Sequence, residues 1–314
     1  MEQLYKDFEK LVKKQQEHCR RLFREYGTDC YRIYDRQLPA LPVAVDRYAE
    51  YVRIEIPDDV LDTEKVRDSV QRMTYTTEDR VVVSRRPKGI GGEAPLRDEL
   101  KRAKKVTVTE AELQYAVDLW TYRDTGLFLD HAVTRDFVRQ QAAGMRVLNL
   151  FSYTGAFTVS AAAGGAAESV SVDLSKTYLA WMEENLKLNA LNAPGHQRVQ
   201  GDVKEFLTEG KKRWGSFSMI ILDPPSFSNS RKTDGVFNVQ RDYPWYIERC
   251  LDMLTDRGFI LFSVHMQDFR FRHKLLPKLA DVAEITRQTV PPGFSLKRLP
   301  HRCWVIRRQR GKSR

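Results

Sequence analysis

An acidic residue and two prolines directly follow one apolar segment of this 314-residue chain. The segment spans residues 220–222 and continues as Asp223, Pro224, Pro225 and, after one serine, Phe227. Because neither proline has an N–H to donate and each fixes its own φ, the loop presents rigid carbonyl acceptors beside the carboxylate. Phe227 adds an aromatic face. Rigid acceptors next to a stacking ring suit a flat heterocycle, so this loop is a candidate binding site.

A second candidate site is the small-residue turn between an apolar strand and an alanine-rich helix, within residues 146–158. The turn has one glycine, Gly155, and lacks the three-glycine pattern that lets a backbone approach a pyrophosphate. A dinucleotide therefore fits poorly, and a ligand without phosphates fits better. Asn149, Phe151 and Ser152 belong to this turn and are candidate ligand contacts.

Acidic residues stand at the ends of three predicted strands. Asp173 lies at the spacing after Gly155 at which a carboxylate holds ribose hydroxyls, and Asp202 could accept a hydrogen bond from an adenine amine. With Asp223 they would line one crevice, because the carboxyl ends of parallel strands meet at the same sheet edge. The candidate cofactor contacts are Asn149, Phe151, Ser152, Gly155, Asp173, Leu174, Asp202, Val203 and Asp223.

This order of motifs resembles the class I S-adenosylmethionine-dependent methyltransferases. The segments 124–131, 149–155, 223–230 and 303–304 further resemble the guanine-N7 methyltransferase half of the bifunctional bacterial enzyme that modifies 23S ribosomal RNA. The resemblance covers nearly the whole chain. This chain departs from that family at Ala132, where relatives usually have arginine. It departs again at residues 263–266, where the relatives are richer in asparagine and lysine.

The resemblance implies a fold and an activity. The fold is α/β, with a Rossmann-like seven-stranded methyltransferase domain and a smaller N-terminal α+β domain. The cofactor is S-adenosyl-L-methionine, and no metal is needed. The implied product is a guanine methylated at N7 in 23S ribosomal RNA, either naked or in a large-subunit assembly intermediate. A fused or partner guanine-N2 methyltransferase domain is also expected.

The implied chemistry needs little acid–base catalysis, because the in-plane lone pair of guanine N7 is free at neutral pH. Positioning then supplies most of the rate. Asp223 and the Pro224 carbonyl would orient the base or the sulfonium side of the cofactor, and Phe227 would stack on a base removed from its helix. The candidate phosphate contacts are Arg231, Lys232, Arg270 and Arg272.

Four alternatives remain open at this point. Cytosine C5 methylation needs a cysteine nucleophile, and neither the loop after Asp223 nor residues 263–266 contains one. Methylation of the exocyclic guanine amine would use the same carbonyl acceptors. A nicotinamide-dependent oxidoreductase is disfavoured by the missing glycines, and a non-catalytic RNA-binding module is disfavoured by the acidic strand ends.

Composition narrows the class of protein. With 42% hydrophobic residues the chain can build a sizeable core, and it has no apolar run long enough for a membrane span. Its four cysteines lack metal-ligand spacing, so we expect free thiols and a cytoplasmic protein. The net charge is +10, and residues 297–314 have eight Lys or Arg and no acid. That asymmetry favours RNA as a partner.

The pattern of elements predicts three parts, namely an N-terminal helix in residues 1–27, a small α+β RNA-binding domain in 28–120 and the methyltransferase domain in 121–314. The apolar spacing of the helix is interrupted by polar residues near Gln16, and we expect the helix to stop at Gly27. We expect the small domain to follow a β-β-α-β order, with a basic loop and then a hairpin at its end. The last two strands, predicted at 284–289 and 303–307, should pair antiparallel at the sheet edge.

Overall fold

The computed structural model describes residues 2–57, 62–86, 105–228, 236–276 and 280–309. The chain forms two compact units, one of Met1–Ala132 with Pro291–Lys297 and one of Val133–Val290 with Arg298–Arg314. The predicted basic loop at 89–105 lies almost wholly outside the described residues, as do Arg231 and Lys232. None of the described helices has the length and apolar character that a membrane span requires.

The first unit contains a four-stranded sheet with two helices, and a separate hairpin. Its elements are α1 Glu2–Glu25, β1 Cys30–Asp35, β2 Ala44–Tyr48, β3 Tyr51–Pro57, α2 Thr63–Thr74, β4 Val81–Arg86, and the hairpin β5 Val106–Glu110 and β6 Leu113–Val117. The sheet order is β1-β2-β3-β4, antiparallel except for β3 and β4, which are parallel and joined through α2. The order of elements is β-β-β-α-β and not the predicted β-β-α-β, because residues 43–56, whose composition suggests one strand, turn at Ala49 with φ 52° and form β2 and β3.

Helix α1 runs without a break from Glu2 to Glu25, across the polar residues that interrupt its apolar spacing near Gln16. Its buried side chains recur every three or four residues and include Phe8, Val12, Gln16 and Cys19. That spacing places Gln16 on the apolar face, where it is only 6% exposed. Gln16 therefore lies on the packed side of the helix, and this polar residue does not end the helix.

The second unit is built on the predicted seven-stranded sheet, which is confirmed. Its order is β14-β15-β13-β10-β7-β8-β9; the five strands from β13 to β9 are parallel, and β15 is antiparallel to both of its neighbours. The strands are β7 Arg146–Leu150, β8 Glu168–Asp173, β9 His196–Gln200, β10 Phe217–Leu222, β13 Leu254–Val264, β14 Ala280–Glu284 and β15 Arg302–Arg308, with a short pair β11 Phe227–Ser228 and β12 Phe237–Asn238. The helices are α3 Ala132–Gln141, α4 Ala156–Ala163, α5 Lys176–Leu188, α6 Val203–Trp214, α7 Val239–Met253 and α8 Thr286–Thr289.

The strand predicted at 284–289 is wrong in position. The edge strand β14 ends at Glu284, and the following residues form the single turn α8. The hydroxyl of Thr286 donates to Glu284 Oε1, and that of Thr289 donates to the Thr286 carbonyl. These local hydrogen bonds compete with strand pairing, which explains why two β-branched threonines occur in a turn of helix. The predicted antiparallel pair at the sheet edge is nevertheless confirmed.

The central strand β10 is buried on both faces of the sheet. Ile220 and Leu222 join one core cluster and Ile221 joins another, as expected when successive side chains point to opposite faces. Both clusters contain residues of the neighbouring strands β7 and β13. This continuous apolar run is typical of a parallel sheet covered on both sides, and it holds the end of β10 rigidly in place.

Candidate functional site

The carboxyl ends of the parallel strands form one edge of the sheet in the second unit. Leu222 pairs with Leu150 on one side and with Phe262 on the other. From β7 the chain continues to β8 and β9 in one direction, and β10 and β13 lie in the other. Such a reversal of strand order opens a crevice for ligands at the strand ends. The residues that follow β7, β8, β9 and β10 therefore converge at this edge, as the sequence predicts.

The turn after β7 has an unusual backbone. Phe151, Tyr153 and Gly155 all have positive φ, at 56°, 49° and 75°. Two of these are aromatic residues in a conformation that side chains disfavour. The amide of Ser152 donates to the Val172 carbonyl at 3.0 Å, which ties the turn to β8. Surrounding contacts thus hold a strained turn at the sheet edge, a feature that clusters at ligand sites.

Asp173 organises this turn with both of its carboxylate oxygens. Oδ2 accepts from the Tyr153 amide at 2.9 Å, and Oδ1 accepts from the Ser175 amide at 2.8 Å. Burial raises the pKa of Asp173, while the two amide hydrogen bonds act in the opposite direction. Each carboxylate oxygen can accept a further hydrogen bond. Asp173 is therefore a half-buried acceptor able to bind a pair of hydroxyls.

Ser152 has a buried polar atom that the fold leaves unsatisfied. The residue is 5% exposed, and its Oγ has no hydrogen-bond partner among the described residues. An unpaired buried hydroxyl is costly, so it favours a ligand that can complete its hydrogen bonding. An S-adenosylmethionine molecule at this edge would offer hydroxyl, amine and carboxylate partners. The residues present fit that cofactor.

Gly155 and Asn149 have roles in packing. A Cβ on Gly155 would lie 2.1 Å from Met182 Cγ, so the glycine lets α4 and α5 approach closely. Asn149 is 2% exposed, and its Nδ2 donates to Thr158 Oγ1 at 2.9 Å. Gly155 ends the turn and Asn149 lies in β7 just before it, and the structure gives each of them a structural reason that the sequence did not reveal.

The second predicted acidic strand end, Asp202, caps helix α6. Its Oδ1 accepts from the amides of Lys204 and Glu205, while Oδ2 has no hydrogen-bond partner among the described residues. Val203 begins the helix and is 4% exposed, whereas Leu174 after β8 is half-buried. The cap orients the carboxylate and leaves it one oxygen to accept from a ligand amine.

Asp223 makes a contact that the sequence did not predict. Its Oδ1 accepts from Ser263 Oγ at 2.6 Å, and His265 Nδ1 lies 3.9 Å from the same oxygen. Ser263 follows Phe262, the partner of Leu222, so parallel register places it beside Asp223. Counting along two neighbouring strands could have found this pair. The hydroxyl fixes the orientation of the carboxylate at the start of the proline loop.

Phe227 is exposed, although it lies in a largely apolar motif. Pro224 is buried and Pro225 is exposed, and the Phe227 side chain retains 57% of its accessible surface. The backbone at this point pairs with β12, with Phe227 opposite Asn238. Phe227 is therefore not a core aromatic, and its ring is available for stacking on a planar group.

An apolar wall stands beside the turn after β7. Phe151 contacts Phe237 and Tyr246, with ring centroids 5.7 and 5.8 Å away. Burial is the largest cause of a raised pKa at Tyr246, so this phenol stays protonated. These aromatic rings come from β12 and α7, and nothing in the local sequence around Phe151 indicated them.

Of the four candidate phosphate contacts, the structure describes Arg270 and Arg272. Arg231 and Lys232 lie outside the described residues. Arg270 is exposed, and its backbone amide donates to Gln240 Oε1 at 2.6 Å. Arg272 is exposed as well, and its amide donates to the Tyr243 hydroxyl. Their side chains remain candidates from position only.

None of the four cysteines can serve as an accessible nucleophile. Cys19, Cys30, Cys250 and Cys303 are all buried free thiols. Burial raises the pKa of Cys19 to about 11 and raises those of Cys250 and Cys303 as well. Because the thiolate is the reactive form, these side chains are unsuited to attack on a pyrimidine ring.

Known proteins resemble the chain in sequence and in fold. The profile of the S-adenosylmethionine-dependent methyltransferase family matches residues 98–278. Ribosomal RNA large subunit methyltransferase K of Neisseria meningitidis serogroup B is 36% identical over 299 residues, which cover 92% of this chain and 84% of that protein.

Two solved structures share the fold. The crystal structure of SMU.776 complexed with SAH has a TM-score of 0.75 at 24% identity. A Streptococcus mutans protein described as a SAM-dependent methyltransferase has a TM-score of 0.73, also at 24% identity. Each alignment covers 96% of this chain and 81% of that chain.

Proposed function

The chain belongs to the S-adenosylmethionine-dependent methyltransferase family, and on this premise we propose that it methylates N7 of a guanine in 23S ribosomal RNA. S-adenosylmethionine is its cofactor. The observation that carries the proposal is the corner made by Asp223, Pro224 and Phe227, in which an oriented carboxylate precedes an exposed ring. The relative from Neisseria meningitidis, a large-subunit ribosomal RNA methyltransferase, supports the RNA class of the substrate.

The cofactor would be held by the strand-end acids. Asp173 accepts from the ribose hydroxyls, because its carboxylate already faces the turn and keeps acceptor capacity. Asp202 accepts from the adenine amine through Oδ2, and Ser152 Oγ completes its hydrogen bonding on the ligand. Gly155 lets the helix after the turn approach Met182, and Asn149 in β7 bonds to Thr158 of that helix. When bound, S-adenosylmethionine supplies an electrophilic methyl group.

The target base would be held by the loop after β10. Phe227 stacks on the guanine after the base leaves its helix, and Asp223 with the Pro224 carbonyl accepts from the donors on the base edge. The Ser263 hydroxyl keeps the Asp223 carboxylate in one orientation. No proton has to be removed from N7, so these residues accelerate transfer by alignment and by excluding water.

Methylation of the exocyclic guanine amine is a second candidate, and Asp223 favours it. An oriented carboxylate at the loop could hold the amine or accept its proton. Cytosine C5 methylation has no such support, because all four cysteines are buried. The two guanine reactions give chemically different products and can be separated by experiment.

Borohydride reduction followed by aniline distinguishes them. N7 methylation fixes a positive charge on the purine and weakens its glycosidic bond, so we expect one aniline-dependent break in 23S ribosomal RNA treated with the protein and cofactor. RNA treated with the Asp173→Ala protein is the matched control and should stay intact. Methyl incorporation without a break would refute N7 and would leave the methyltransferase assignment standing.

The remaining proposals concern context. A ribosomal RNA substrate would place the protein in the cytoplasm, and either free 23S ribosomal RNA or a large-subunit assembly intermediate could present the guanine. A guanine-N2 methyltransferase domain is proposed as a fusion or partner. The candidate phosphate contacts Arg270, Arg231 and Lys232 would position the RNA backbone near the loop.

A further inference from the structure

The first unit contains a basic cleft that the methyltransferase reaction does not use. Its volume is about 580 Å³, and it lies between α1, the start of β1, β2 and the end of α2. Arg20 and Arg24 on α1 and Arg47 on β2 line it, together with Gln16 and Tyr75. These five residues come from three elements, so the cleft exists only in the folded unit. We call it the Arg47 cleft.

The three arginines of the Arg47 cleft form no salt bridge with any residue that the structure describes. Arg20 and Arg24 are exposed and lie one helical turn apart. Arg47 is half-buried and donates to the Thr74 carbonyl and to Thr76 Oγ1, which fixes its guanidinium. Burial lowers the pKa of Arg47 and Arg20 acts in the same direction, whereas a hydrogen bond to Tyr31, which also lines the cleft, raises it. The lining has three arginines and one acid, Asp29, so its charge is positive on balance and favours an anion.

Gln16 provides an independent sign of a ligand. It is 6% exposed, and its buried Oε1 has no hydrogen-bond partner among the described residues. A buried amide oxygen without a hydrogen-bond partner lowers the free energy of unfolding by about 1–3 kcal/mol. A ligand that donates a hydrogen bond to Gln16 Oε1 would recover this loss. Phosphate alone cannot donate to this oxygen when fully ionised. The ligand should therefore have N–H or O–H groups as well as negative charge.

Tyr75 gives the Arg47 cleft an exposed aromatic face. It is 75% exposed and has φ 53° at the end of α2, a position that usually favours glycine or asparagine. Its amide donates to the Gln71 carbonyl, which holds it in this strained conformation. A large apolar ring in a left-handed conformation facing solvent has no benefit for packing. A stacking partner would explain it.

Asp29 also lines the Arg47 cleft and must fit the same ligand. Its Oδ1 accepts from the Thr109 amide at 2.7 Å, and burial raises its pKa. A carboxylate beside arginines repels a bare polyanion but accepts readily from the N–H groups of a nucleobase. The donor set thus matches a phosphate, a donor-bearing base edge and a ring to stack on.

We propose that the Arg47 cleft binds one nucleotide of single-stranded RNA, with the phosphate on Arg20, Arg24 and Arg47 and the base on Tyr75. The proposal rests on the proposed function, since it takes RNA as the substrate. It gives the first unit a defined part in holding that RNA. Gln16 and Asp29 accept from the base or ribose.

Two charge-reversal pairs on the same helix test the phosphate site. In the cleft pair, Arg20→Glu is combined with Arg24→Glu. In the control pair, Lys14→Glu is combined with Arg21→Glu, which reverses the same number of exposed charges on α1 outside the cleft lining. The probe is a 23S ribosomal RNA transcript, titrated by fluorescence anisotropy at several salt concentrations. The cleft pair should weaken affinity at least about tenfold more than the control pair and should lower the salt slope by about 1 or more.

Two further variants separate binding from structure. Gln16→Met replaces the unpaired amide with an apolar side chain of similar length, so the thermal midpoint should hold or rise while RNA affinity falls. Tyr75→Gly relieves the backbone strain and should likewise keep stability while RNA affinity falls about fivefold or more, and Tyr75→Phe should keep the affinity. A loss of stability in Gln16→Met and Tyr75→Gly with unchanged RNA binding would show a purely structural role.

The outcomes for the Arg47 cleft and for the catalytic assignment are distinguishable. If the wild-type protein methylates 23S ribosomal RNA but both charge-reversal pairs bind the transcript equally, only the cleft proposal is overturned, and an acidic protein segment becomes the better occupant. If the wild-type protein neither binds nor methylates the transcript, both proposals fall. Competition by free GMP as strong as by a single-stranded oligonucleotide would assign the cleft to a free nucleotide and would overturn the RNA site.

Discussion

The two candidate ligand sites of this molecule, the sheet edge of the second unit and the Arg47 cleft, present side chains of opposite charge. At the sheet edge of the second unit, Asp173 and Asp202 present acceptors, and at the Arg47 cleft Arg20 and Arg24 present donors. Each site also retains one buried polar atom without a described partner, Ser152 Oγ in the first and Gln16 Oε1 in the second. The acidic site suits a ligand with hydroxyls, an amine and a sulfonium, and the basic site suits a phosphate.

The two sites differ also in how their backbones are strained. The turn after β7 combines Phe151, Tyr153 and Gly155, all at positive φ, and packs against neighbouring elements. The Arg47 cleft has two residues at positive φ, Ala49 at 52° and Tyr75 at 53°, and the side chain of Tyr75 faces solvent. Strain under a packed turn can be changed only with a loss of stability, whereas strain at an exposed residue such as Tyr75 can be relieved without one. If the Arg47 cleft binds a nucleotide as proposed, Tyr75 is kept for its ring, whereas Gly155 is required for packing against Met182.

The substitution with the strongest predicted effect tests whether the sheet edge, and not the Arg47 cleft, binds S-adenosylmethionine. Asp173→Ala should reduce the affinity for S-adenosylmethionine about a hundredfold or more, because a pair of charge-assisted hydrogen bonds is worth roughly 3 kcal/mol or more. Calorimetric titration measures the affinity, and circular dichroism checks the fold. The cleft pair Arg20→Glu with Arg24→Glu is the matched variant in the other site. A folded Asp173→Ala protein with wild-type affinity would sink the cofactor assignment.

The next effect concerns the packed turn. Gly155→Ala should lower the free energy of unfolding by about 2 kcal/mol or more, since the new Cβ meets Met182 and the residue has positive φ. Denaturant unfolding measures it. Gly201→Ala is the control, because a Cβ there meets nothing within 4 Å.

A second substitution divides the two causes at Gly155. Adding Met182→Ala removes Cγ and Sδ, which lie 2.1 and 3.0 Å from the new Cβ, and leaves Met182 Cβ at 2.8 Å, so the double variant should be more stable than the sum of the single losses predicts. Additive losses would show that Cγ and Sδ of Met182 do not require the glycine. At the Arg47 cleft, Tyr75→Gly introduces a glycine where the backbone has positive φ, so the free energy of unfolding should not decrease.

A smaller effect tests the exposed ring at the methyltransferase loop. Phe227→Ala should weaken RNA binding by roughly 1–3 kcal/mol while leaving the affinity for S-adenosylmethionine unchanged, because a lost base stack acts on the RNA side alone. Phe227→Trp should preserve binding. Leu275→Ala, which removes another exposed apolar side chain of the same unit, is the matched control. Equal losses in both variants would contradict a specific stack.

The smallest effect is a pH dependence of cofactor binding. Burial raises the pKa of Asp173 above its ordinary value of 3.8. The ionised carboxylate binds the hydroxyls, so affinity should fall as pH decreases through the raised pKa, by at most about tenfold per pH unit. Asp173→Asn should lack this component. If both proteins lose affinity at the same pH, another group controls the titration.

The stability of the ligand-free protein should depend on pH in the opposite direction from the affinity for the cofactor. A raised pKa means that the folded state favours the protonated carboxyl group. The stabilisation from Asp173 is therefore fully present below pH 3.8, and it is lost as pH rises through the raised value. Bound cofactor should reverse this preference, so unfolding measured with and without S-adenosylmethionine should differ most at neutral pH and least in acid.

Local chemistry was enough to predict the sheet edge. The apolar run before Asp223, the glycine turn and the acidic strand ends each follow from short-range preferences, and the parallel sheet brings them together. The hairpin of β5 and β6 was predictable for the same reason. Where local signals conflicted, prediction was wrong, as at Thr286, whose β-branched side chain suggested a strand and whose hydroxyl stabilises a turn of helix.

The class of fold and the acidic edge follow from local sequence, because strand periodicity, proline geometry and turn residues act over a few positions. Three features follow only from packing in the folded chain, namely the hydrogen bond of Ser263 to Asp223, the need for Gly155 beside Met182 and the burial of Gln16 on a helix face. Those facts depend on strand register and on helix packing between residues distant in the chain. The same long-range packing decides which buried polar atoms stay unpaired, and so where ligands are expected.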